Sequence, residues 1–185
     1  MNNRRQKARA LVMMLCAAVA LFLSSCKKAQ HSEGSPLAHK VSFQKDSATM
    51  SLAQLDKLMR ENFVIVTDVR KLPESVKASF CNIEKCNFAG VKFDMVNPGE
   101  AMSTDYIIPG VPNKRLRFAA LNGDSAIVFY EWGGYADQAC VTAFDFRERT
   151  SWGASLKVFR VNTLERLRTA ISDRQFTPWS PGDRR

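Results

Sequence analysis

Histidine is nearly absent from this chain of 185 residues, which contains only His31 and His39. Both lie in a polar stretch that precedes the first clear pattern of secondary structure. The rest of the sequence therefore lacks the general base of Ser–His–Asp and Cys–His hydrolases and the imidazole ligands of common zinc sites. We predict no metal and no other cofactor, and the sequence singles out no catalytic residue.

Long hydrophobic runs and phosphate-binding loops are also missing. The longest apolar run covers residues 10–23, which is shorter than the roughly 17–25 residues of a transmembrane helix. Gly133 and Gly134 lack the helix and lysine that complete a phosphate loop. The formal net charge is +9, but no basic stripe alternates with aromatic residues, so we do not expect a nucleic acid as partner.

The N-terminus carries the most specific pattern in the sequence. Four basic residues come first and no acidic residue accompanies them: Arg4, Arg5, Lys7 and Arg9. The apolar run 10–23 follows, and a basic segment before a short apolar segment is typical of a secretory signal peptide. The run ends in Leu23-Ser24-Ser25-Cys26, which closely resembles the lipobox of bacterial lipoproteins.

This resemblance covers residues 1–26 and implies a lipid anchor. In bacterial lipoproteins the thiol corresponding to Cys26 is acylated, the chain is cleaved before it, and the new amino group usually receives a further acyl chain such as palmitate. Two or more acyl chains hold a protein stably to a bilayer, whereas a single chain binds marginally. Lys27 stands where an aspartate would favour retention in the inner membrane. The resemblance therefore implies an envelope protein anchored to the outer membrane and facing the periplasm.

The sequence divides into four parts on this interpretation. Residues 1–25 form the signal peptide, and residues 26–48 form the lipidated cysteine with a flexible tether rich in Ser, Gly and Pro. Residues 49–176 form one globular domain, and residues 177–185 form a polar tail in which Pro178 and Pro181 end regular structure.

The hydrophobic pattern of the domain predicts an α+β fold. Spacings of three and four residues predict helices over about 51–61 and 72–82, and a closing helix that Thr163 caps. The β-branched run 63–69 predicts a buried strand. Later strands are predicted as an antiparallel meander joined by a hairpin at Asn122-Gly123, near residues 116–120, 126–132, 140–146 and 155–159. We expect a sheet of about four to six strands, with an N-terminal and a C-terminal helix packed on one face.

Three cysteines remain in the domain, namely Cys81, Cys86 and Cys140. The periplasm is oxidising, so a disulfide is plausible. Cys81 and Cys86 enclose four residues at a predicted helix end and form the leading pair, with Cα atoms expected about 4.4–6.8 Å apart. Cys140 is then a small hydrophobic residue on a strand; the alternative pairs it with Cys81 or Cys86.

A loop with aromatic residues is the main candidate for recognition. It contains Trp132, Gly133, Gly134 and Tyr135 at the end of a strand, and aromatic residues often dominate binding energies. The competing interpretation is that Tyr130 and Trp132 share one strand face and pack in the core.

Two functions of different classes follow from the sequence. The first is a non-enzymatic binding or structural domain, tethered to the membrane, whose partner is an envelope protein or a glycan. The alternative is an envelope glycan hydrolase that uses a pair of carboxylates. Spacing alone does not select that pair from the candidates, which include Asp68, Asp94, Asp105 and Glu131.

Overall fold

The structure is a computed structural model that describes residues 48–84, 86, 93–104, 108, 110–133, 138–158 and 160–179. The predicted signal peptide and nearly all of the tether, Cys26 included, lie outside these residues, as do Gly134, Tyr135 and the end of the tail. Within the described part, no helix is both long enough and apolar enough to cross a bilayer.

Strands and helices follow one another along the described chain in the order of an α+β protein. The first half contains β1 (Ala48–Thr49), α1 (Leu52–Leu58), β2 (Val64–Val66), a 3₁₀ turn (Val69–Lys71) and α2 (Glu74–Glu84). The second half contains β3 (Lys114–Leu121), β4 (Ser125–Trp132), β5 (Gln138–Asp145), β6 (Thr150–Leu156), α3 (Leu164–Ser172) and β7 (Phe176–Trp179).

The seven described strands form one sheet around an antiparallel meander. Strands β3, β4, β5 and β6 pair in sequence order, and Asn122 Oδ1 accepts hydrogen bonds from the backbone N–H groups of Asp124 and Ser125 in the first hairpin. The predicted α+β class and the Asn122-Gly123 hairpin are confirmed. A central antiparallel meander is present, but its last strand is Thr150–Leu156 instead of about 155–159, and the sheet has seven described strands instead of four to six. The sheet as a whole is mixed, however, because β1 pairs with β6 in parallel. A two-residue strand has no detectable periodicity, so the sequence could not reveal this pair.

Helices cover both faces of the sheet and make three layers. Helices α1 and α3 pack on one face, with a core that includes Leu55, Leu167, Phe129 and Trp152. The prediction that the N-terminal and the C-terminal helix pack on one face is therefore correct. Helix α2 and the 3₁₀ turn pack on the other face. The sequence predicts helices on one face only, so this second helical layer is a correction. Strands β3 to β6 are therefore largely buried on both sides, which explains why β4 and β5 read as nearly continuous apolar runs.

A β-bulge in β3 changes which residues share a face. Leu116 lies opposite Tyr130, and Phe118 lies opposite Phe129, so Arg117 is the extra residue. Leu116 consequently packs with the α2 side and Phe118 with the α1–α3 side, although simple alternation places them together. The bulge also directs Arg117 toward Glu131 on the α1–α3 side.

The two edges of the sheet differ in how they are covered. The outer edge of β6 is paired with β1 at Thr150 and Ser151 and with β7 from Gly153 to Leu156. Pro178 lies within β7, although the sequence predicts that it ends regular structure; an edge strand tolerates proline because its outer side needs no N–H donor.

The opposite edge is formed by β2, which is short and exposed. It pairs antiparallel with β3 between Leu121 and Ala119, and its Val64 and Ile65 are 66% and 48% exposed. The prediction that this run is a buried strand is wrong about burial. The β-branched composition indicates a strand correctly, but its position in the sheet depends on pairings that are distant in sequence.

Candidate functional site

A groove lies on the α1–α3 side of the sheet, between the β2 edge and the beginning of α3. Its volume is about 470 Å³, within the range of about 300–1,000 Å³ that is usual for ligand pockets. Its apolar lining comes from Phe63, Ile65, Phe118 and Leu164. Its polar lining comes from Asn62, Thr67, Arg117, Asn162, Thr163, Glu165 and Arg168. We call this feature the β2 groove.

Arg117 brings positive charge to one wall of the groove. Its guanidinium donates to Glu131 Oε1, and Arg115 Nη1 lies 3.4 Å from Glu131 Oε2. One carboxylate thus faces two guanidinium groups, which leaves this cluster with one net positive charge. The side chain of Arg117 is 44% exposed, so an anionic group that enters the groove can reach it.

Arg168 on α3 holds another wall in place. Its Nε donates to the carbonyl oxygen of Met59 and its Nη2 to that of Glu61, both at 2.6 Å. These carbonyl groups follow α1, where backbone acceptors lack helical partners. Arg168 therefore fixes α3 against the end of α1, and it also lines a neighbouring concavity of about 430 Å³.

Glu61 joins the segment before β2 to two turns of the sheet. Its carboxylate accepts hydrogen bonds from Asn122 Nδ2 at 2.7 Å, Ser125 Oγ at 2.7 Å and Arg147 Nη2 at 2.8 Å. Partial burial acts to raise the pKa of Glu61, but the three hydrogen bonds and the charge of Arg147 together lower it below its ordinary value. The ionised carboxylate is thus part of what holds the β2 end of the sheet.

The described half of the predicted recognition loop packs against other parts of the domain. Trp132 is half-buried and packs with the cluster beneath α2, on the same face as buried Tyr130. Gly133 is buried, its N–H donates to the Asn113 carbonyl at 2.8 Å, and a Cβ added there would overlap the Ser103 backbone. Gly134 and Tyr135 lie outside the described residues, so the loop stays a prediction.

A buried ion pair next to this loop joins Lys114 of β3 to Asp94, which lies outside the strands. Lys114 Nζ is 3.1 Å from Asp94 Oδ2 and also donates to Asn113 Oδ1 at 3.1 Å. The other oxygen of Asp94 accepts from the Asn113 N–H at 2.7 Å. Since these hydrogen bonds compensate for the burial of both charges, the cluster can hold the segment around Asp94 against β3.

The carboxylates considered for a hydrolase do not converge in the part of the chain that the structure describes. Asp94 binds Lys114 on the α2 side, whereas Glu131 faces Arg115 and Arg117 on the α1–α3 side. Asp68 caps the 3₁₀ turn and pairs with Arg70, whose hydrogen bonds lower the pKa of Asp68. Asp105 lies outside the described residues. The sheet therefore separates Asp94 from Glu131, and each of the three described candidates has a basic partner.

The cysteines adopt the leading arrangement expected from the sequence. Cys81, near the end of α2, forms a disulfide with Cys86, and their Cα atoms are 4.6 Å apart. Cys140 is fully buried on β5, and its thiol lies 3.7 Å from the Gln138 carbonyl oxygen that it approaches as a donor. Among the described residues, no three His, Cys, Asp or Glu side chains come together as a potential metal site.

The sequence does not single out the residues of the β2 groove. Arg117 is the only early signal, because it interrupts an apolar strand next to Phe118. Asn162 and Thr163 approach Ile65 only through the packing of α3 on the sheet.

Comparisons of the chain with protein-family models, with curated proteins and with solved structures gave no match.

Proposed function

We propose that this protein is a lipid-anchored envelope lipoprotein, facing the periplasm from the outer membrane, whose domain is a non-enzymatic binding module. The observation that carries the binding role is the β2 groove. It combines an apolar floor, an exposed Ile65 and a positively charged wall in a volume suited to a ligand or to side chains of a partner. An envelope protein or a glycan is the proposed class of partner.

The polar groups of the groove favour binding over hydrolysis. Most are neutral amides and hydroxyls or guanidinium groups, and among the described lining residues the only carboxylate belongs to Glu165, whose side chain is 76% exposed. General acid–base catalysis needs proton-transferring groups held near the substrate. The alternative function, hydrolysis by a carboxylate pair, has no comparable support, because Asp94 and Glu131 lie on opposite faces of the sheet.

The proposed anchor is Cys26, acylated in the bilayer. The first described strand begins at Ala48, so roughly 20 residues separate the acylated cysteine from the domain. A flexible chain of that length has a typical reach of about 25 Å. This reach places the domain beyond the lipid headgroups and leaves it free to meet partners in the periplasm.

Replacement of the proposed acylation site tests the anchor. We expect Cys26→Ser to leave the precursor uncleaved or to release the protein from membranes, since the thiol is the acceptor of the lipid. Membrane fractionation and the mass of the N-terminal peptide measure both effects. Cys140→Ser is a control that also removes a thiol. A Cys26→Ser protein that matures and fractionates like the wild type contradicts the proposed anchor.

Photo-crosslinking in intact cells tests the binding role. A photoreactive amino acid at Ile65 lies in the β2 groove, whereas one at Thr177 lies exposed on the opposite edge. We expect discrete adducts with an envelope protein or with peptidoglycan from position 65 and none from position 177. Absence of adducts from position 65, or the same adducts from both positions, contradicts the binding role of this groove.

A further inference from the structure

We propose that the partner of the β2 groove is an extended peptide segment, which adds to β2 as a further strand and places a carboxylate beside Arg117. This inference rests on the proposed binding role and specifies the chemistry of the partner. Three observations support it: the exposure of β2, the direction of its side chains and the charge of the groove.

The first observation is the character of the exposed edge. Exposed apolar edge strands invite pairing with another chain, and proteins commonly protect them with proline, charge or a covering segment. On β7 a proline lies within the edge strand. On β2 the residues are Val64, Ile65 and Val66, and the first two are more than 45% exposed. Such an edge suits recognition by strand addition, in which backbone hydrogen bonds provide affinity.

The second observation is the direction of the side chains. Ile65 lies opposite Ala120 and faces the α1–α3 side, whereas Val64 and Val66 face the side of α2. A strand added beside β2 alternates in the same way. Its side chain next to Ile65 therefore faces the β2 groove, and the side chains two positions away lie toward Phe63 and Thr67. The groove then contacts every second side chain of the peptide.

The third observation is the charge that these side chains meet. The groove and the Glu131 cluster together contain Arg115, Arg117 and Arg168 against Glu131 and Glu165. The excess is positive, and Arg117 is the guanidinium of this set that is most exposed. A guanidinium binds a carboxylate through two parallel hydrogen bonds. We therefore expect an aspartate or glutamate at one groove-facing position of the peptide. Apolar residues should occupy the groove-facing positions two residues before and after it.

Selection from a random nine-residue peptide library, displayed on phage, tests this inference with the full chain purified in detergent. We expect enrichment of peptides in which an acidic residue lies two positions away from an apolar residue, so that both face the groove. A synthetic copy of a selected peptide should bind Arg117→Glu at least ~10-fold more weakly than the wild type. Arg166→Glu is the matched control, because Arg166 is an exposed arginine of α3 that is not among the described residues lining the groove.

Methylation of the peptide backbone provides a test that does not depend on the folding of a variant. Strand addition uses alternate backbone N–H groups of the peptide. N-methylation should therefore abolish binding at every second position and have little effect at the positions between. Loss of binding at consecutive positions contradicts strand addition.

The remaining outcomes separate this inference from the binding role itself. If no peptide is enriched, or if the selected peptides bind Arg117→Glu as tightly as the wild type, the inference is wrong. If position 65 then crosslinks to a glycan or to a second copy of this chain, the binding role stands and only the peptide partner is wrong. If position 65 crosslinks to nothing, both proposals are wrong.

Discussion

The two edges of the sheet differ in how much of their length is paired with other strands. At the β6 edge, two strands from the beginning and the end of the domain pair with one strand, and Trp179 lies over Gly153 where a Cβ would overlap its ring. At the β3 edge, the described chain supplies the three residues of β2 and a single bridge from Val96 to Arg115. Within the described residues, the chain thus completes one edge and leaves the other exposed.

This contrast indicates where stability and recognition reside. Residues at the β6 edge, such as Phe176, are buried against the core, so their replacement should affect folding. Residues at the β2 edge, such as Ile65, are exposed, so their replacement should affect binding and leave folding intact. Four variants test the comparison, from the largest expected effect on stability to the smallest.

The first variant, Phe176→Ala, removes an aromatic ring from the covered edge. Phe176 packs edge-to-face on Trp152, with ring centroids 5.1 Å apart, and is 7% exposed. We expect a loss of about 3–4 kcal/mol in the free energy of unfolding, because truncation leaves a cavity. Urea unfolding measures the loss, and Phe176→Leu, which keeps most of the volume, should cost less than ~1.5 kcal/mol. A loss below ~1 kcal/mol for the alanine variant contradicts the role given to this edge.

The second variant, Gly153→Ala, adds one methyl group beneath Trp179. We expect a cost of about 1–3 kcal/mol, because the added group must displace the indole ring. In a Trp179→Ala background the same substitution should cost close to zero. This double-mutant cycle, measured by urea unfolding, isolates the contact between residues 153 and 179. Equal costs in both backgrounds show that the two residues act independently.

The third variant, Glu61→Gln, loosens the attachment of the segment before β2. Loss of charged hydrogen bonds to Arg147, Asn122 and Ser125 should cost about 1–2 kcal/mol at pH 7. Folding lowers the pKa of Glu61, so its contribution is complete above the pKa of the unfolded chain. The contribution is lost as the pH falls through the lower pKa of the folded protein.

The stability difference between Glu61→Gln and the wild type should therefore shrink on acidification. Urea unfolding at a series of pH values from 7 to 3 measures it, with Glu148→Gln in the exposed turn after β5 as control. A difference that stays constant over this range contradicts the ionised state assigned to Glu61.

The fourth variant, Ile65→Lys, changes the open edge with the smallest effect on folding. We expect the free energy of unfolding to change by less than ~0.5 kcal/mol, because the side chain is 48% exposed and does not belong to the buried core. Binding of selected peptides should nevertheless be lost, since a charge replaces the apolar residue at the centre of β2. A large drop in stability with peptide binding retained contradicts the assignment of binding, and not stability, to the β2 edge.

Local patterns predict much of this fold because they describe the chain over a few residues. The capping box of Ser51 and Gln54 and the cap at Thr163 start helices where the sequence indicates. The Asn122-Gly123 turn starts the meander, and the short spacing of Cys81 and Cys86 identifies the disulfide. Each of these signals depends on residues that are close in sequence.

The remaining features depend on pairings between distant residues. Val64, Ile65 and Val66 read as a buried strand, and only their place at the edge of the sheet makes them exposed. The bulge at Arg117 is hidden because Leu116 and Phe118 alternate with Arg115 and Arg117 as they would in a regular strand, and only the register with β4 reveals the extra residue. The β2 groove combines residues near 65, 117 and 164, so no single segment of the sequence contains it.

The pairing of β1 and β7 with β6 has a consequence for the order in which the domain is assembled. Ala48 pairs with Thr150, and Phe176 pairs with Leu156. The β6 edge is therefore completed only once the last described strand is available, whereas β2 and β3 can already pair once the chain is available up to residue 121. A chain that stops before residue 176 keeps an unpaired stretch of β6. Such a fragment can aggregate through this unpaired stretch. A complete chain covers the same stretch with β7 and is protected from this route of aggregation.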